Sequence, residues 1–307
     1  MWPAQLRRTS SDAGVERADK MGRAQRLFLQ SLVLVSTLAL TGCWNGTAKS
    51  PYDERRYQGM LGGREGMDAE AVQVLMFTKT AGFRHGSIPT SKEVMEALSK
   101  THGFELNITE DASVFAEDVL STYDVIMFAS TTGEVLNAAQ RGALEGFIAA
   151  GGGFVGVHAA SDTLYTWPWY GELVGAYFNG HPLWTSVATL HNEDPDHPSS
   201  QHLGRSFQLR DEWYFFDRNP RSDVHVLLTL DGSSNAVLAT YARARGNGDH
   251  PITWCHPYGG GRSWYTALGH RSAVWRDVRF QEMLLGGTLW AAGRTEGTCA
   301  RDDASRP

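Results

Sequence analysis

Cysteine is scarce in this 307-residue chain: only Cys43, Cys255 and Cys299 are present, too few to staple a fold, so a buried core has to hold it. Positive charge is not in excess either. Twenty-eight Lys and Arg face 34 Asp and Glu, for a formal charge of −6, and the basic residues are scattered. No basic stripe exists to neutralise phosphates, which excludes nucleic acid as a partner. No apolar run is long enough for a comfortable membrane-spanning helix, since the best candidate, Leu27 to Leu40, has fourteen residues with four polar interruptions. HExxH spacing is absent, so a metal would have to be held by residues distant in sequence.

The short apolar run has its own meaning. Arg23 and Arg26 precede it and Leu40-Thr41-Gly42-Cys43 ends it, the pattern of a signal peptide with a lipobox. Cleavage before Cys43 would free a thiol for acylation, so Cys43 is the expected lipidation site and the bacterial cell envelope, facing the periplasm or exterior, the expected location. The hydrophilic stretch ahead of the signal makes Met21 the better start. Residues 1–43 are therefore read as targeting sequence, 44–69 as a polar flexible tether, 70–293 as one folded domain and 294–307 as a polar tail.

Within the domain, Val72 to Thr78, Asp124 to Ala129 and Phe154 to Val157 are apolar runs bounded by turn signals, and Phe104 to Thr109 reads as a further strand. Helical patterns separate them, one capped by Thr90 or Ser91 and one over Asn137 to Ala150. Alternation of this kind predicts an α/β fold, a parallel sheet with helices on both faces. Beyond Asp162 the pattern turns β-rich, with strands expected over 186–190, 206–209, 224–230, 236–241, 252–255 and 263–267, and a closing helix over 274–292. Cys255 falls in an apolar strand and Cys299 in the tail, which favours free thiols, although an oxidising compartment would permit a bridge.

The centre of the pattern is Gly151 to Asp162, reading GGGFVGVHAASD. A buried strand stops abruptly at His158, and in parallel sheets the carboxyl edge is where ligands bind. A strand-end histidine can also do no more than cap the strand. Its neighbours favour a larger role: Arg84 and His85 follow the first strand, His181 follows an aromatic loop over Tyr165 to Tyr170, and His256 and His270 each sit where an apolar strand meets a glycine turn. Asp162 and the pair Asp211-Glu212 supply carboxylates, with a solvated edge-strand charge pair as the plainer reading of the latter. Aromatics make up 11% of the chain, with ten tryptophans. Most tryptophans are core residues, yet one on a loop, such as Trp167, can hold a sugar face.

The chain resembles the ThuA-like (trehalose-utilisation) family through FRHGSIP at 83–89, GFVGVHAASDT at 153–163, GHP at 180–182, DEWY at 211–214, and PITWCH at 251–256 with YTALGH at 265–270. That resemblance implies a flavodoxin-like core of the class I glutamine amidotransferase kind and a role in carbohydrate metabolism. The amidotransferase elbow is Gly-X-Cys-X-Gly. Here His158 takes the cysteine's place and Ala160 that of the last glycine, so thiolate chemistry does not transfer.

The expected function is that of a lipid-anchored, sugar-active hydrolase, lyase or isomerase. His158, Glu212 and His256 are its candidate catalytic groups, and Arg84, His85, Asp162, Trp167, His181 and His270 would contact substrate. Zinc on the same histidines is possible, and a carbohydrate-binding lipoprotein without catalysis is the alternative. His85, His158 and at least one of His256 and His270 should line one cleft, with Tyr165 to Tyr170 as one wall and Asp211-Glu212 as another.

Overall fold

Strands that are covered on both faces must be apolar along nearly their whole length, and three short runs in this chain meet that condition. The computed structural model describes residues 71–245 and 248–299. Strand β1 spans Gln73–Phe77, β3 Val125–Ala129 and β4 Gly153–Val157, and every residue of β3 and β4 is buried. β2, Glu105–Thr109, is only partly covered because it forms one edge of the sheet.

The sheet has nine strands in the order β2-β1-β3-β4-β9-β8-β7-β5-β6, with β5 at Ser186–Asn192, β6 at Ser206–Asp211, β7 at His225–Leu230, β8 at Pro251–Tyr258 and β9 at Gly261–Thr266. Five strands, β2-β1-β3-β4-β9, run parallel in a flavodoxin-like order. The other four add an antiparallel wing.

Helices α1 (Ile88–His102), α2 (Glu117–Leu120), α3 (Ala138–Ala149) and α4 (Pro168–Val174) interleave with the parallel strands. Asn137 caps α3, accepting from Gln140 N at 3.0 Å while the Gln140 side chain returns the bond to Asn137 N. α1 begins earlier than the Thr90 or Ser91 cap expected from sequence. Pro89 fits its first turn, and Ser91 Oγ donates inside the helix to Ile88 O at 2.8 Å.

Two expectations for the C-terminal half fail. Residues 236–241 belong to a helix, α5 (Ala236–Arg245), and not to a strand. Val237, Thr240 and Tyr241 suggested β structure, but the Asn235 side chain accepts from Leu238 N at 2.9 Å, and Leu238 and Ala242 bury one face at i, i+4. The closing helix is two: α6 at Ser272–Trp275 and α7 at Val278–Ala291, because the Asp277 side chain accepts from Arg279 N and starts a new helix. α7 packs so closely on β4 that a Cβ on Gly153 would lie 2.5 Å from Ala291 O. Trp213, Trp254, Trp264 and Trp275 are fully buried and fill the core. Among the described residues no helix is long and apolar enough to cross a membrane.

Cys255 and Cys299 are bridged, contrary to the free thiols favoured by sequence. The tail folds back along α7, where Trp290 Nε1 donates to Gly297 O, and this brings Cys299 to β8. The bridge closes a sequence separation of 44 residues. Constraint of the unfolded chain makes such a link worth about 2–4 kcal/mol, so Cys299→Ser should lower unfolding free energy by that amount in denaturant titration. An unchanged midpoint would mean that the bridge adds nothing.

Candidate functional site

Chain polarity decides which side chains meet. The parallel strands deliver their following loops to one edge, so the residues after β1, β4 and β9 converge there. His158 opens a 3₁₀ turn, His158–Asp162, directly after β4. Its φ is +54°, a left-handed conformation that costs a non-glycine residue about 1–3 kcal/mol. Tyrosine hydroxyls hold the turn in place: Tyr265 donates to His158 O at 2.8 Å and Tyr170 to Ala160 O at 2.7 Å.

The His158 ring is equally constrained. Nδ1 lies 2.7 Å from Ala267 O, an acceptor only, so Nδ1 carries a hydrogen and in the neutral ring Nε2 is bare. Nε2 then faces His85 Nε2 at 3.1 Å, the Tyr214 hydroxyl at 3.0 Å and Glu212 Oε2 at 3.7 Å. Glu212 also meets His270 Nδ1 at 3.1 Å and His181 Nδ1 at 3.2 Å. His270 stands on a loop pinned by buried Asp211, which accepts from Gly269 N at 2.7 Å and Arg271 N at 3.1 Å. Asp211 and Glu212 are thus buried structural and site groups, not a solvated charge pair on an edge.

Burial and the nearby His270 lower His85 to about 4, against the opposing charge of Glu212. Burial likewise holds His158 well below 6.5, helped by the His85 charge. Burial acts against the charged form of His270 too, but the Glu212 carboxylate beside its Nδ1 outweighs it and the net shift is upward. The cluster therefore combines two neutral imidazoles with an imidazole–carboxylate pair.

Of the nine residues singled out from sequence, His85, His158, His181, Glu212 and His270 are brought together. Asp162 is nearby in chain but is occupied by the Tyr165 hydroxyl at 2.8 Å, and burial raises its pKa. Arg84 instead forms a half-exposed pair with Glu110 at 2.8 Å. Trp167 turns away, stacked on Trp169 with its Nε1 donating to Glu145. His256 is at the opposite edge: β8 runs against β9, so His256 pairs with Ser263 near the start of β9, and its Nε2 meets Leu173 O at 3.0 Å. Two strands of one hairpin cannot both end at the same edge. Asp194 and His197 lie apart from Glu212 as well, Asp194 accepting from His225 and His197 resting beside the disulfide.

Tyr214 is the site residue that sequence reasoning missed. It stacks on His158 with ring centroids 4.3 Å apart, and a period-two reading from Glu212 would have placed it on the same side. A cavity of about 620 Å³, lined by His191, Asp231, Arg243 and His250 among others, lies on the antiparallel wing and gathers no such cluster among the described residues.

These shifts fix the sign of one pH effect. His85 and His197 are each held down to about 4, and His158 lies well below its ordinary 6.5. Between about pH 4 and 6.5 the folded chain consequently binds fewer protons than the unfolded one, so stability is full above 6.5 and falls as pH drops toward 4. Asp211, raised to about 6 by burial, opposes this together with the upward shifts of Asp162 and His270, but burial lowers His102 and His250 as well, so five histidines outweigh three groups. The urea midpoint should be lower at pH 4.5 than at pH 7; an equal or higher midpoint would contradict the assigned protonation.

Comparison with known proteins bears on this fold directly. No curated protein matches the chain. Among solved structures, a ThuA-like protein from Bacteroides uniformis is 25% identical with a TM-score of 0.61, the match covering 76% of this chain and 97% of that one. Another from Parabacteroides merdae is 20% identical with a TM-score of 0.60, over 75% and 93% of the two chains. The sequence profile described as ThuA, trehalose utilisation, spans residues 73–291, from β1 to the end of α7. This chain belongs to the ThuA family.

Proposed function

We propose that this chain is an enzyme that moves protons on a carbohydrate, at the cluster of His85, His158, Glu212 and His270. One observation carries the reading: titratable side chains from four separate segments meet, three of them buried and His270 half-buried, around a strained turn at the carboxyl edge. A binding shelf would have no need to bury and couple such groups.

Glu212 is the only carboxylate among these clustered atoms in the described residues. That favours proton transfer beside a sugar carbonyl, as in an isomerase or lyase, over glycoside hydrolysis by two facing carboxylates. Glu212 is the base in this reading, oriented by His270 and His181. The bare Nε2 of His158 and the Tyr214 hydroxyl form a second pair that handles a proton on the substrate oxygen. Phe83 and Trp184, both largely exposed, stand two and three residues from His85 and His181 and offer flat faces to a sugar ring. The same two rings would serve a binding lipoprotein that leaves its sugar unchanged, which is the second reading.

The Cys43 lipobox lies outside the described residues. It supports an anchored protein of the bacterial cell envelope that faces the periplasm or exterior. Cys43→Ala should move the protein from the membrane fraction to the soluble fraction, since the acyl chains contribute about 0.8 kcal/mol per buried methylene. Retention on salt-washed membranes would remove the anchor.

Incubating the full chain with a panel of disaccharides and their keto derivatives separates the readings. Turnover of at least one is expected, and Glu212→Gln should reduce kcat by about 10²–10⁴-fold with little change in melting temperature. Saturable sugar binding without turnover would select the binding lipoprotein.

A further inference from the structure

We propose that His85, His158, Glu212 and His270 together hold one divalent transition-metal ion. The inference rests on the reading of this cluster as the site of chemistry and adds to it the identity of the cofactor.

Hydrogen bonding inside the cluster does not balance by itself. His158 Nδ1 is committed to Ala267 O, which leaves one in-plane lone pair on Nε2. Two donors lie within reach of that single pair, the Tyr214 hydroxyl at 3.0 Å and His85 Nε2 at 3.1 Å, and only one can be satisfied. If His85 Nε2 carries the hydrogen, its Nδ1 is left as a bare acceptor, buried and without a partner among the described residues. If Nδ1 carries it, the two Nε2 lone pairs face each other at 3.1 Å. A cation between them resolves the second arrangement and leaves the hydroxyl free.

The spacing suits such an ion. One donor atom from each of the four side chains lies within 4.8 Å of the others, and three of the separations are 3.1, 3.7 and 3.1 Å. Zinc bonds of about 2.0–2.1 Å in tetrahedral directions put donor atoms roughly 3.3 Å apart, so only small side-chain movements are needed. Three neutral imidazoles with one carboxylate form a donor set typical of zinc and its neighbours. The outer contacts are those that metal-bound histidines need: the Ala267 carbonyl orients His158, and Asp211 fixes the loop that carries His270. Loading the ion takes up His158 Nε2 and Glu212 Oε2, so proton handling then falls to Glu212 Oε1 with His181 and to the Tyr214 hydroxyl at the rim.

A second group, His197 with Cys255 and Cys299, also brings donor atoms together, but there the two sulfurs are joined in the disulfide and offer no thiolate. It serves as the internal control.

The test is ion counting and zinc titration calorimetry on the full chain in detergent, without a polyhistidine tag and with the disulfide intact. One zinc per chain is expected. His158→Ala and the near-isosteric Glu212→Gln should each weaken binding by more than the about 10–100-fold that losing an outer partner costs, while His197→Ala should not. Circular dichroism confirms that each variant is folded. Failure of zinc, manganese, cobalt and nickel to bind, or binding that survives both site variants, or binding lost in His197→Ala, would overturn the proposal. Full sugar turnover by the ion-free chain would also overturn it, leaving the proton-transfer reading in place. Stoichiometric zinc at the site with no sugar turnover would instead support the metal and remove that reading.

Discussion

The hydrogen bond from His158 Nδ1 to the Ala267 carbonyl is the constraint on which the site depends. It links the turn after β4 to the segment after β9, the two neighbouring parallel strands at the centre of the sheet. With that bond made, the ring cannot flip, Nε2 points to His85, Tyr214 and Glu212, and the left-handed backbone at His158 is over-determined by its surroundings. The strain is stored locally. The other left-handed non-glycine residues described, Ser130 and Leu164, lie at the end of β3 and just beyond the His158 turn, so all three cluster at this one edge.

The scaffold explains why such strain is affordable there. β3 and β4 are buried along their whole length, α7 approaches β4 closely enough to require glycine at 153, and tyrosine hydroxyls from α4 and β9 hold the turn. Antiparallel strands contribute from the other side: the end of β6 supplies Asp211, and Glu212 and Tyr214 follow it. A rigid parallel half thus presents the histidines, and the wing folds a carboxylate and a phenol over them.

Much of the fold was legible because fully buried strands leave unbroken apolar runs, as at Val125–Ala129 and Gly153–Val157, and the glycine turns around them mark their ends. The family followed from linked motifs. What was not legible depends on contacts between distant parts. Residues 236–241 carry the β-favouring Val237, Thr240 and Tyr241, and only the Asn235 cap and the packing of Leu238 and Ala242 make them helical. His256 looked equivalent to His270 in sequence, since each ends an apolar run at a glycine turn, yet the reversal between β8 and β9 sends them to opposite edges. The Cys255–Cys299 bridge needed the return of the tail along α7. Trp167 could not be told from a sugar platform until its stack on Trp169 was seen. Convergence of His85 and His158 could be argued from strand polarity, and the resemblance added one of His256 and His270 without choosing between them, whereas the role of Tyr214 required the ring geometry.

The most direct measurement of the central idea, that this edge is where a sugar is transformed, is a crystal structure of the chain soaked with a keto-disaccharide. The account predicts a sugar ring between Phe83 and Trp184, with a substrate oxygen in hydrogen-bond reach of His158 and Tyr214 and a reacting carbon facing Glu212. A sugar bound in the cavity beside His191, Asp231 and His250, with the histidine cluster untouched, would contradict it.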